Sequence, residues 1–136
     1  EAVSAGAEVM CGGKRMSDSC YAPTVLFNPS EDCRVSREEI FGPVATIHRF
    51  ETDQDAVEMA NITEYGLAGS IWTTNTARGK VVAEQIDSGI LWVNTWLHRD
   101  LRTPFGGVKN SGLGREGGDW SLNFFSEFSN ICVIND

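Results

Sequence analysis

Glu38-Glu39-Ile40-Phe41-Gly42-Pro43-Val44, read as EEIFGPV, runs directly into Val44–Phe50, VATIHRF. The second stretch alternates and is β-branched, so it reads as a strand. The first places two carboxylates, an aromatic ring and a Gly-Pro turn at the entrance to that strand. Two readings of the acidic pair stand side by side. Exposed Glu is the norm, which makes it a solvated surface pair with Phe41 in the core. A carboxylate also accepts two hydrogen bonds at once, which suits a vicinal diol such as a ribose, and a neighbouring ring can press on the sugar or base.

Working outward, Thr52 or Asp53 caps a helix over 54–61, with Ala56, Val57 and Ala60 on one face. Gly66 ends that region, and Ala68–Thr73 reads as a buried strand. Asn75 or Thr76 caps a second helix over 77–87, with Val81, Val82 and Ile86 inward. Gly89 stops it, and Ile90–Val93 is another strand. Strand–helix–strand–helix–strand over 44–93 predicts an α/β layer with a largely parallel sheet and flanking helices. Upstream, residues 1–10 read as the end of a helix broken by Gly12-Gly13, Tyr21–Phe27 as a short strand, and 28–37 as polar turns. Downstream come a Gly-rich loop from Arg99 to Gly114, a mostly helical 117–128 and a last strand at Ile131–Ile134.

The bulk numbers bound the function. At 136 residues, 41% hydrophobic and 22% charged, the chain is one globular domain or part of a larger one, long enough to bury a core. It contains no run of 18 apolar residues, so no membrane span is expected. A net charge of −8 argues against non-specific nucleic-acid binding, which needs a basic face. The first residue is Glu1 and no apolar signal segment follows it, so a piece of a longer chain is expected. Cys11, Cys20, Cys33 and Cys132 form no CxxC pair, and His48 lies far from His98. No metal site is expected on that pattern, and the thiols read as free in a reducing cytoplasm.

A second informative stretch is Pro104–Glu116, PFGGVKNSGLGRE. Gly-rich loops before helices often cradle phosphates. This one has a GxxxxG spacing but lacks the Lys-Ser/Thr that follows it in a P-loop, and no GxGxxG is present. Glycines that permit a tight path near other backbone are the stronger reading. Just before it, His98–Arg102, HRDLR, reads as a surface charge run. A guanidinium such as that of Arg99 can also grip a carboxylate in a bidentate fork.

Taken together, EEIFGPV and PFGGVKNSGLGRE resemble signature segments of the aldehyde dehydrogenase superfamily, and the resemblance runs from about GAEVMCGGK at Gly6 to the last expected strand. It implies the C-terminal part of an α/β catalytic domain over 1–136, with about 129–136 as a strand for subunit contacts. It implies that Glu39 holds the nicotinamide ribose hydroxyls with Phe41 packed beside it, while Glu38 stays solvated. By the same likeness Phe105 lines an aldehyde tunnel and Glu116 lies near a proton-relay route. Arg99 stands where the family often has an aromatic pocket residue. WLHRDLRTPFGG looks like the branch that oxidises 2-aminomuconic and 2-hydroxymuconic semialdehydes, whose substrates carry a carboxylate. The family's Cys nucleophile and most of its cofactor contacts lie upstream of the matching region, so the chain alone is expected to be inactive. The resemblance further implies NAD or NADP, with NAD favoured, an aldehyde substrate, and a homodimer or homotetramer. It also implies an ion pair between Arg115 and Glu127, made by a bend in the segment or across subunits. The alternative of another class is a free-standing, non-enzymatic module that binds itself or a partner through exposed faces.

Overall fold

A computed structural model describes residues 1–135; Asp136, the last position of the expected subunit-contact segment, lies outside them. The first residues do not form the end of a helix. A short turn closes with Ala5 N–H on Glu1 O at 3.0 Å and Ala7 N–H on Ala2 O at 3.0 Å, and strand β1 (Glu8–Cys11) follows. Tertiary pairing overrides local propensity here. A small hairpin, β2 (Arg15–Ser17) and β3 (Cys20–Tyr21), leads into β4 (Thr24–Phe27). Strand β4 sits between two partners: β1 runs antiparallel to it, with Val9 opposite Leu26. After a one-turn helix α1 (Arg34–Arg37), β5 (Val44–Ile47) runs parallel to β4, from Thr24 opposite Val44 to Phe27 opposite Ile47.

Helix α2 (Asp53–Asn61) starts where the sequence indicates, and Thr52 rather than Asp53 caps it. Thr52 Oγ1 accepts from Asp55 N–H at 3.2 Å, and the Asp55 carboxylate accepts from Thr52 N–H at 2.9 Å, a complete capping box. The Thr52 N–H, with the Thr52 hydroxyl and the Glu51 N–H beside it, holds the Asp55 carboxyl below the usual carboxylate range. Val57 is buried but Ala60 is exposed, so the inward face is narrower than its spacing suggested. Removing the cap in Thr52→Ala is expected to cost about 1 kcal/mol. In the natural protein that would speed amide exchange across residues 53–61 about fivefold, with Thr52→Ser near wild type; unchanged exchange would show that packing alone sets this helix.

After β6 (Tyr65–Gly66), β7 (Ala68–Ile71), helix α3 (Thr76–Ala83) and β8 (Ile90–Val93) form a β-α-β unit. Strands β7 and β8 are parallel, Ala68 opposite Ile90 through Ile71 opposite Val93. Asn75 caps α3, its Oδ1 accepting from Arg78 N–H at 3.0 Å. Arg78 Nε also donates to Asp53 at 2.6 Å, tying the start of α3 to the start of α2. The α3 residue that faces the sheet is Gly79: a Cβ there would lie 2.8 Å from Val93 Cγ1 and 2.9 Å from Thr73 Cγ2. Val81, expected inward, is exposed, and the helix ends at Ala83 rather than 87.

The single sheet expected over 44–93 is instead two. Strand β5 pairs with β4 and β7 pairs with β8, so α2 crosses between sheets rather than within one. Residues 99–114 are not all loop, because β9 (Val108–Lys109) pairs antiparallel with β6. Helix α4 (Gly118–Phe124) is shorter than the expected 117–128. Residues 125–135 carry no strand, and Ile131–Ile134 pair with none among the described residues. The core is thin: Ala7, Ala22, Leu26, Cys33, Val57 and Trp92 are the buried hydrophobics, and no described side chain is completely enclosed. Among the described residues, no helix is long and apolar enough to cross a membrane.

Candidate functional site

The site is built by the loop that joins β8 to α4. Its far end is anchored on α2 and β6 by the Val-Lys-Asn-Ser run of the Gly-rich segment. Lys109 Nζ donates to Asn61 O at 3.0 Å and Thr63 O at 3.1 Å, the carbonyls at the end of α2. A cation suits the negative end of a helix. Asn110 N–H donates to Glu64 O at 2.9 Å, and Gly66 N–H donates to Ser111 Oγ at 3.0 Å. Sequence reasoning gave Lys109, Asn110 and Ser111 no role. The signal was a polar triplet inside a glycine-rich loop, where a polar side chain has backbone to satisfy.

The middle of the loop folds back on itself. Phe105 and Glu116 exchange two backbone hydrogen bonds, each 2.8 Å, so residues eleven apart in sequence sit face to face. Gly89 is needed beside them: a Cβ there would fall 1.6 Å from Gly106 O. Arg115 Nη1 donates to Gly107 O at 2.8 Å and Gly114 O at 2.7 Å. The Arg115–Glu127 ion pair expected from the resemblance does not form within this chain. The guanidinium is satisfied by loop carbonyls, and Glu127 lies beyond the end of α4.

Arg99 completes the cluster. Its guanidinium carbon lies 4.0 Å from the centre of the Phe105 ring, and its Nη2 is 3.4 Å from Glu116 Oε1. The cation faces the π cloud while one edge meets a carboxylate. The rest of the HRDLR run leaves Arg99 free for this. Asp100 is engaged by Arg102, whose Nε donates to it at 2.9 Å and whose guanidinium holds the Asp100 carboxyl below its usual range. His98 O accepts from Trp92 Nε1 at 2.8 Å, which fixes the loop's start on the buried end of β8. Three sequence-predicted residues, Arg99, Phe105 and Glu116, therefore meet. Phe105 and Glu116 line a hollow of about 470 Å³ with Leu67, Leu113, Arg115 and Phe124 among its walls.

Glu39 and Phe41 sit apart from that cluster, on the segment between α1 and β5. Glu38 is not simply solvated: Arg34 grips it with contacts of 2.8–3.0 Å, and that pairing depresses its carboxyl. Glu39 makes no side-chain hydrogen bond or ion pair among the described residues, so both its oxygens are available. Phe41 is 93% exposed, which overturns its reading as a core residue. Glu39 lines a second hollow of about 540 Å³ with Arg37, Tyr65 and Ile86. Leu67 and Ser111 line both hollows, so the two adjoin. None of the four cysteines lines either one. Cys33 is buried, and the other three are exposed.

Residues 1–131 match the profile of the Aldehyde dehydrogenase family. A 2-aminomuconic 6-semialdehyde dehydrogenase of Pseudomonas sp is 52% identical over 125 residues, covering 92% of this chain and 26% of that protein. A 2-hydroxymuconic semialdehyde dehydrogenase of Pseudomonas sp. (strain CF600) is 47% identical over 140 residues, covering 98% and 29%. The solved Mycobacterium tuberculosis aldehyde dehydrogenase complexed with NAD+ superposes with a TM-score of 0.82 at 39% identity, covering 93% of this chain and 27% of that one. The chain thus spans between a quarter and a third of the length of these relatives. A profile match over nearly the whole chain, joined to the likeness in fold, shows that this chain belongs to the aldehyde dehydrogenase family.

Proposed function

We propose that this chain forms the substrate-carboxylate side and part of the cofactor side of an NAD(P)-dependent enzyme that oxidises a carboxylate-bearing semialdehyde to the acid. The meeting of Arg99, Phe105 and Glu116 carries this reading: a guanidinium seated over a ring, beside a hollow, suits a carboxylate. Names of the similar proteins support the substrate class, since muconic semialdehydes carry such a group. Phe105 packs under the guanidinium and walls the aldehyde's path. Glu116 has an exposed carboxylate able to take and pass a proton.

The residues on the other hollow fit a nicotinamide cofactor. Glu39 offers two unengaged oxygens to the ribose diol, and Phe41, two residues on, offers an exposed ring. When bound, NAD(P)+ supplies the hydride acceptor; NAD is favoured, and no metal is called on. Glu39 orients, Arg99 binds, and Phe105 shapes the path. We read residues 1–136 as one partial catalytic domain, acting in the cytoplasm as a homodimer or homotetramer. The exposed Ile131, Val133 and Ile134 support subunit contacts by the terminal segment.

The purified 136-residue chain is expected to form no NADH from any aldehyde, because none of its cysteines stands at either hollow. NADH production by the chain alone would overturn that division of labour. A second reading, a non-enzymatic module that associates through exposed faces, has the exposed Leu113, Phe124, Phe125 and Phe128 in its favour. The mass of the natural product separates the two. About 50 kDa or more fits an enzyme with further domains; 14.9 kDa fits the module.

A further inference from the structure

Among the described residues, the carboxylate in ion-pair range of Arg99 is Glu116, at 3.4 Å. Three features make this contact more than a chance surface pair. The Phe105 ring, 4.0 Å away, seats the guanidinium over its face. The double backbone bridge between Phe105 and Glu116 fixes where the carboxylate starts relative to that ring. Arg102 occupies Asp100, so the neighbouring acid does not compete. Glu116 therefore holds one edge of the guanidinium, beside the edge open to an incoming carboxylate.

We infer that Glu116 is the resident counter-ion of Arg99, and that it limits the preference for carboxylate-bearing aldehydes by offsetting the charge of the guanidinium and repelling the substrate's carboxylate. The inference rests on the reading of Arg99 as a carboxylate receptor. A guanidinium has five N–H donors, so it can accept a substrate fork on another edge without dismissing Glu116. Two carboxylates on one cation still repel each other, and that repulsion opposes the charged substrate alone. A proton-relay role for Glu116 has a different signature. Relay acts at the reacting carbon and touches every aldehyde alike, whereas repulsion touches only those with a second, anionic end. Glu116 is two-thirds exposed at its side chain, so solvent screens the effect to a few-fold.

The test compares two six-carbon aldehydes, 6-oxohexanoate and hexanal, on the natural protein. The readout is the ratio of their kcat/KM values, which a loss of relay shared by both substrates leaves untouched. Glu116→Gln keeps the side-chain shape and removes the charge. The ratio is expected to rise about three- to fivefold in favour of 6-oxohexanoate, the range an exposed ion pair supports, and the gain is expected to shrink at high salt. If the variant turns over too slowly to measure, its affinity for adipate, read by calorimetry, is expected to rise by the same factor. A ratio or adipate affinity that stays level or falls in Glu116→Gln overturns the inference. Arg99→Ala, measured in parallel, isolates the cause. Loss confined to 6-oxohexanoate means that a failed Glu116 result condemns this inference alone. Equal loss on both aldehydes condemns the Arg99 receptor and the inference with it.

Discussion

Arg99→Ala is expected to lower kcat/KM for a carboxylate-bearing semialdehyde about thirtyfold while leaving an uncharged aldehyde of the same length nearly unchanged. Losing one partner of a charge-assisted pair costs about 2–5 kcal/mol. The lower end applies, because the Arg99 side chain keeps 36% of its exposure in this chain. Arg99→Lys is the instructive companion. It keeps the charge but loses the planar fork and the guanidinium's contact over Phe105, so a loss of about tenfold is expected, between wild type and Ala. Equal falls on both substrate classes would show that Arg99 braces the loop against Glu116 and reads no substrate.

Glu39→Gln is expected to slow single-turnover hydride transfer by about ten- to a hundredfold with a much smaller change in cofactor affinity. The amide still hydrogen-bonds a ribose hydroxyl, but it trades one acceptor oxygen for a donor and holds the diol less firmly. A misplacement of the reacting ring by about 1 Å is enough for a loss near a hundredfold. Glu39 is unpaired among the described residues, so the substitution breaks no internal contact that would confuse the result. Glu38→Gln is the natural control. It removes the Arg34 pair at the end of α1 and is expected to leave hydride transfer unchanged. An unaltered rate in Glu39→Gln would move the ribose contact elsewhere.

What was legible in the sequence was local. Val44–Ile47 alternates half-buried and exposed, as its β-branched pattern indicates, and Thr52 and Asn75 cap the helices they precede. A cap is written in one side chain and the two or three amides after it. What was not legible was pairing at a distance. Nothing in Glu8–Cys11 says that β4 will claim it as a strand, and nothing in 44–71 says that β5 and β7 will choose different partners. The helix α3 misled because its closest approach to the sheet is made by Gly79, which carries no apolar signal, while Val81 points outward.

The candidate site divided the same way. Its members stood out by residue type, in two segments whose likeness to the family is strong. Their meeting depends on the Phe105–Glu116 bridge and on Lys109 reaching the end of α2 from 48 residues away. No spacing rule encodes either. Within this chain Arg115 reaches loop carbonyls rather than Glu127, because a guanidinium with five donors takes the nearer acceptors. The terminal Ile131–Ile134 has the composition of a strand, and a strand needs a neighbour that the described chain does not provide.

A crystal structure of the natural protein with NAD+ and adipate, a six-carbon dicarboxylate in the product's place, tests the central claim most directly. The expected result has the Glu39 carboxylate in hydrogen-bond range of the nicotinamide ribose hydroxyls, and the Arg99 guanidinium in a fork on the far carboxylate above Phe105. A ribose held away from Glu39, or a dicarboxylate seated with Arg99 turned from it, would contradict the assignment of this chain's two hollows to cofactor and substrate.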